Sequence, residues 1–301
     1  MFIIKEQEMS NNSSTIMRLL QEYGWVAMPK LSDAKAADIH TAFDQVIAYA
    51  ENNPTWIQTF NEKSSAWKQA ARIANMMNSG YFGPYYRDVR GGDKDNKVTY
   101  QTCNSFRSSC QAGGDAEIVL PQIVNHLDKV LFEALVEVLP SFSTVVDSIA
   151  AAIPLLKDRL VLDNGDPNVS VRVLKYFVDS RASTNPHVDK SALTYIMHTS
   201  DGVNGGSLTF ASPSCRDLNI ADFKNPAEYG APLSNFGHVF PGEALSATGL
   251  TSLKATPHAA LKPLCDQVRY SIVAFWLVKD VDLAPFSTKI IVRDDGVLRD
   301  Y

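Results

Sequence analysis

The chain has 301 residues, 45% of them apolar and 20% charged, with a net charge of −5 at pH 7. That length buries a large core, and a mildly acidic balance without any Lys/Arg cluster argues against a nucleic-acid surface. No apolar run reaches the roughly 18–20 residues needed to span a bilayer, so a membrane location is not expected.

The N-terminal half reads as helical. The opening Met1-Phe-Ile-Ile-Lys5 is too short for a secretory signal. Ile16, Leu19, Leu20 and Tyr23 recur at helical spacing and Gly24 supplies a stop. Trp25-Val-Ala-Met28 ends at Pro29 and predicts an edge strand. Ser32 is the expected N-cap of a helix that buries Ile39, Phe43, Val46, Ile47 and Ala50 and closes at Asn52-Asn-Pro54. Further helical stripes run over Trp67–Met77, Ile118–Leu139 and Thr144–Ile153, the second starting near Leu120 with Pro121 in its first turn. Between them, 81–110 mixes aromatics, Gly91-Gly92 and charges, which suits strand and loop.

After Gly165-Asp-Pro167 the hydrophobic period becomes that of strands. Val169–Val178, Leu193–Met197, Gly206–Phe210, Ala244–Thr248 and Val268–Val278 follow one another with turn residues between them. Many short strands without intervening helices indicate an all-β barrel or jelly roll. Residues 213–236 read as a long polar surface insertion. Cys103, Cys110, Cys215 and Cys265 have no metal-like spacing and read as reduced thiols of a cytoplasmic protein.

Two motifs carry chemistry. In an extended segment His187 and Asp189 project to one side, because strand side chains repeat every two residues. With His258 they form the two-imidazole, one-carboxylate set that binds one face of Fe(II) and leaves the other open. Arg269 and Ser271, two apart on a strand, make a candidate carboxylate clamp. Periodicity allows the opposite arrangement equally, with Tyr270, Ile272, Ala274 and Trp276 inside.

These residues resemble a known family. His187-Val-Asp-Lys-Ser-Ala-Leu-Thr-Tyr-Ile-Met197 resembles the His-Thr-Asp-x-Ser-x-Leu-Thr strand of the isopenicillin N synthase-like 2-oxoglutarate/Fe(II) oxygenases. Gly242-Glu243 is similar to their Gly-Asp step, Gly249–His258 to their Asn-Gly-x-x-x-Ser-x-x-His segment, and Arg269-Tyr-Ser271 to their Arg-x-Ser. The motifs keep the family order over 169–280; the 81–110 segment and the 213–236 insertion depart from it.

The resemblance implies an α+β chain with a mainly β core. A double-stranded β-helix (jelly roll) over 166–301 would be flanked by a mostly helical region over 1–165. Fe(II) would rest on His187, Asp189 and His258, with 2-oxoglutarate held by Arg269 and Ser271. O2 would be the oxidant and ascorbate a candidate reductant. Iron halogenases of this architecture lack the carboxylate, so Asp189 points to oxygenation, with hydroxylation of a small molecule as the default. Tyr85, Arg87, Arg107, Lys190 and Phe275 are candidate substrate contacts. A 2-oxoglutarate-independent oxidase of the same family and a noncatalytic cupin-like module are the rival readings.

Overall fold

The computed structural model describes residues 13–70, 80–83, 97–103, 121–162, 165–177, 184–198, 208–213, 218–232, 234–260, 268–279, 281, 291–294 and 297–300. Helix α1 (Ser13–Glu22) buries Ile16, Leu19 and Leu20, and the chain turns at Gly24 with φ +82°. A side chain is excluded at Gly24 on two counts. The backbone is left-handed, and a Cβ would fall 2.8 Å from the Thr256 hydroxyl. Strand β1 (Val26–Pro29) follows, then α2 (Asp33–Asn52) and α3 (Pro54–Ala70). Ser32 precedes α2 as expected, but its side chain makes no cap bond there; its N–H and hydroxyl both donate to the Glu137 carboxylate instead.

Strands β2 (Gly80–Phe82) and β3 (Lys97–Cys103) come next, then helix α4 (Gln122–Ala152). The two helices expected around Pro140 are one 31-residue helix with that proline inside it. Pro140 removes the N–H that would bond the Val136 carbonyl. Val136 is 66% exposed, which places this turn on the solvent side, and the helix continues past the break. Only the start of the Trp67–Met77 stripe is described, and it belongs to α3, which begins earlier, at Pro54.

The β region contains β4 (Val169–Tyr176), β5 (Thr184–His187), β6 (Leu193–His198), β7 (Leu208–Phe210), β8 (Leu218–Asn219), β9 (Phe236–Pro241), the short helix α5 (Glu243–Ala247), β10 (His258–Ala260), β11 (Arg269–Trp276), β12 (Ile291–Asp294) and β13 (Val297–Asp300). A seven-stranded sheet runs β1-β9-β6-β11-β4-β3-β2, and a second runs β5-β10-β7. From β4 to β11 the chain alternates between them, apart from β8, which pairs with β12 in a third small sheet. That alternation is a double-stranded β-helix. The 213–236 insertion has more order than a surface loop. It contains β8 and two 3-10 turns, each opened by an asparagine capping box, and it buries Phe223.

Helices α2 and α4 cover the outer face of the large sheet. Trp276 meets Phe142 edge-on at 5.1 Å and donates from Nε1 to the Leu160 carbonyl, and Tyr270 donates to the Asp44 carboxylate. Tyr100 reaches the buried Asp128 from β3 in the same way. Each fully buried large apolar side chain here contributes about 1.5–3 kcal/mol. Contacts to the helices therefore decide what β11 presents outward: Tyr270, Ile272, Ala274 and Trp276. Arg269, Ser271, Val273 and Phe275 must face the space between the sheets.

His238 sits on that inner face of β9, fully buried against Trp25 and Phe210. Its Nε2–H donates to the Ala231 carbonyl at 3.0 Å, while Nδ1 has no partner among the described residues. Burial pushes its pKa down to about 4, so the folded state holds it neutral. The unfolded chain binds that proton at about pH 6.5, so this contribution is intact above pH 6.5 and is lost as pH falls toward 4. Thermal unfolding should show a loss approaching about 3 kcal/mol over that window. A His238→Asn variant should flatten it, and an unchanged slope would remove His238 as its cause.

Candidate metal centre

Register brings the first two ligands together. β10 runs antiparallel to β5 with His258 directly opposite His187, so residues 71 apart in sequence become cross-strand neighbours with ring centroids 4.2 Å apart. Two residues beyond His187 the chain bends back, and the Asp189 carboxylate lies 3.7 Å from each imidazole: Oδ1 from His187 Nε2, Oδ2 from His258 Nε2. Those separations are too long for hydrogen bonds. The three ligand atoms all lie within 4.8 Å of one another, which is the arrangement a shared cation requires.

Surrounding bonds fix the chemical form of His258 and Asp189. His258 Nδ1 lies 3.1 Å from the Thr256 carbonyl, which only accepts, so Nδ1 carries the proton and the Nε2 lone pair faces the cluster. Thr256 is itself held, its hydroxyl donating to the Gly24 carbonyl at 2.6 Å. The Thr194 hydroxyl donates to Asp189 Oδ2 at 2.7 Å. Burial works to raise the Asp189 carboxyl, but His258, His187, Thr194 and Arg172 together outweigh it and hold the group below its usual range. Asp189 is thus ionised, the form in which a carboxylate can ligate a cation. Phe240 packs 4.6 Å from the His258 ring and keeps that side of the cluster dry. His187 has 38% of its side chain exposed and marks the open side.

The segment Ala244–Thr248, expected as a strand, is helix α5 and its C-cap. The reason lies at its N-terminus, where Glu243 N–H donates to the Asp189 carbonyl and Ala244 N–H to that of Ser191. These bonds use the first helical amides to brace the ligand-bearing turn. Gly242 permits the approach, since a Cβ there would lie 2.2 Å from the Ser191 carbonyl oxygen.

Arg269 and Ser271 lie on the cup face of β11, 4% and 0% exposed, with the Arg269 guanidinium 4.2 Å from the Tyr176 ring centroid. Phe275 is on the same face, 1% exposed. Lys190 is exposed, next to Asp189 in sequence. Tyr85, Arg87 and Arg107 lie outside the described residues. Sequence reasoning passed over Arg172. The register puts it opposite Val273 and hence on the cup face, where its guanidinium stacks 4.9 Å from the Phe275 ring. A guanidinium set between Val171 and Val173 in a buried strand was the available signal.

No protein-family model and no curated protein matches the sequence. Solved structures do. A full-length Neurospora crassa protein in complex with alpha-KG and thymine aligns with a TM-score of 0.60 at 13% identity, over 97% of this chain and 86% of that one. The likeness is one of fold. A putative 2OG-Fe(II) oxygenase family protein from Caulobacter crescentus aligns at 0.57 and 16% identity, over 91% and 83%. The rice dioxygenase for auxin oxidation aligns at 0.54 and 17%, over 92% and 80%.

His187→Ala should abolish stoichiometric binding of Mn(II), read by electron paramagnetic resonance of the free ion. Thr194→Val should fold normally and bind it about 10–100-fold more weakly; wild-type affinity in both variants would exclude this cluster as the metal centre.

Proposed function

We propose that the chain is an Fe(II)- and 2-oxoglutarate-dependent dioxygenase that oxidises, by default hydroxylates, a small molecule. The observation that carries this reading is the convergence of His187, Asp189 and His258 in the cup that also receives Arg269 and Ser271. The motifs of the isopenicillin N synthase-like group fall on these residues in family order, and the solved structures of like fold include one bound to alpha-KG. A cytoplasmic location is part of the proposal, supported by four cysteines whose spacing is neither paired nor metal-like. No described helix is long and apolar enough to cross a membrane.

Fe(II) held on two imidazoles and a carboxylate supplies O2 activation driven by 2-oxoglutarate decarboxylation to succinate and CO2. The residues perform the rest. His187, Asp189 and His258 would hold the metal through two imidazoles and a carboxylate, a ligand set that would leave room for cosubstrate and O2. The Arg269 fork takes the distal carboxylate of 2-oxoglutarate, and the Ser271 hydroxyl donates to it. Burying a guanidinium is costly, and an incoming dicarboxylate offsets that cost. Thr194 and Thr256 hold Asp189 and His258 so that neither ligand rotates between turnovers.

Under anaerobic conditions, Fe(II) plus 2-oxoglutarate should give a weak visible charge-transfer band, and admitting O2 should yield succinate. A metal site that gives neither would favour the oxidase that takes no 2-oxoglutarate; no O2 consumption across a metabolite panel would favour the binding module. Arg269→Ala should raise the 2-oxoglutarate concentration needed for half-saturation about 10–100-fold, the worth of a lost charge-assisted pair. An unchanged requirement would remove Arg269 from that role.

A further inference from the structure

The cup contains a second guanidinium that the proposed chemistry does not use. Arg172 lies on β4 across from Val273 of β11 and Gln101 of β3. Its Nε–H donates to Gln101 Oε1 at 2.9 Å. Gln101 is 1% exposed and is anchored in turn, its Nε2 donating to the Ser170 hydroxyl at 3.0 Å, which donates to the Thr102 carbonyl. The Phe275 ring supports the flat face of the guanidinium. The Gln101 bond and the Phe275 ring thus fix the position and plane of the group.

Arg172 and Arg269 serve different places in the cup. Val273, the partner of Arg172, is four residues along β11 from Arg269, about 13 Å at strand rise. The Arg172 end is the metal end. Phe275, on whose ring Arg172 stacks, is paired there with Thr194, the residue that holds Asp189. A cosubstrate anchored on Arg269 would be held at the other end of the strand, so Arg172 lies nearer to the metal ligands than the cosubstrate's anchor does.

We propose that Arg172, preset by Gln101 and Phe275, determines specificity by taking a planar carboxylate of the substrate, so that the molecule oxidised is an organic acid. The proposal rests on the dioxygenase reading. A fixed planar fork matches a carboxylate bidentately and discriminates against the isosteric amide, whose NH2 would face a donor.

The test uses the full chain loaded with Zn(II), an inert stand-in for Fe(II), and saturating 2-oxoglutarate to keep Arg269 occupied. Ligand-observed NMR titrations compare three matched probe pairs: benzoate and benzamide, phenylacetate and phenylacetamide, indole-3-acetate and indole-3-acetamide. Wild type should bind at least one acid roughly tenfold or more tightly than its amide. Arg172→Gln should erase that preference by weakening the acid alone, and Arg172→Lys should restore part of it. No preference in the wild type, including binding of neither partner of every pair, overturns the proposal. So does an Arg172→Gln protein that keeps the preference, or one whose main loss is in Zn(II) affinity, which would make Arg172 a support for Asp189. Failure of 2-oxoglutarate itself to bind the wild type would sink the dioxygenase reading instead, and a separate titration of the cosubstrate reads that directly.

Discussion

The antiparallel register of β10 on β5 sets His258 opposite His187, and the site depends on it. A slip of one residue would send one imidazole to the far side of the small sheet, because strand side chains alternate faces. The pairing is held from both sides, since β10 also bonds β7 with His258 opposite Phe210. The link from Gly24 through Thr256 to His258 Nδ1 then ties the ring to the N-terminal segment. A candidate metal ligand is thereby positioned through a residue more than 200 positions away in the chain.

The large sheet carries two unlike faces, and the division of labour follows from what covers each. Outward, α2 and α4 bury Tyr270, Trp276 and Tyr195, and the few polar groups there find fixed partners such as Asp44 and Asp128. Inward, the same strands present Arg269, Ser271, Arg172 and Thr194 to a narrow space shared with the small sheet. Helical packing supplies the stability that lets the inner face keep buried charge, which an isolated sheet of this composition would not tolerate.

Much of this was legible in the letters, for identifiable reasons. The α2 stripe from Ile39 to Ala50 was clear because one helix face meets the sheet and the other meets water. His187, Asp189 and His258 were legible because a family pattern, with spacing and order, surrounds them. The orientation of β11 was not, because all its residues are buried and alternation carries no sign when both faces are covered. The stretch after Gly242 alternates like a strand yet is helical, since its first amides are claimed by the Asp189 and Ser191 carbonyls, a tertiary constraint absent from local pattern. Pro140 misled because its cost depends on where on the helix it falls, and here that turn lies on the exposed side. Arg172 escaped notice because its significance lies in register with β3 and β11, which a single strand does not display.

The central claim is that one cation is shared by three side chains drawn from two strand ends of the small sheet. X-ray absorption at the iron edge of the anaerobic Fe(II)-loaded protein tests it most directly. The account predicts a six-coordinate nitrogen/oxygen shell with the outer-shell scattering of two imidazoles, reduced to one in His258→Ala. A shell containing sulfur, or one without imidazole scattering, would contradict it.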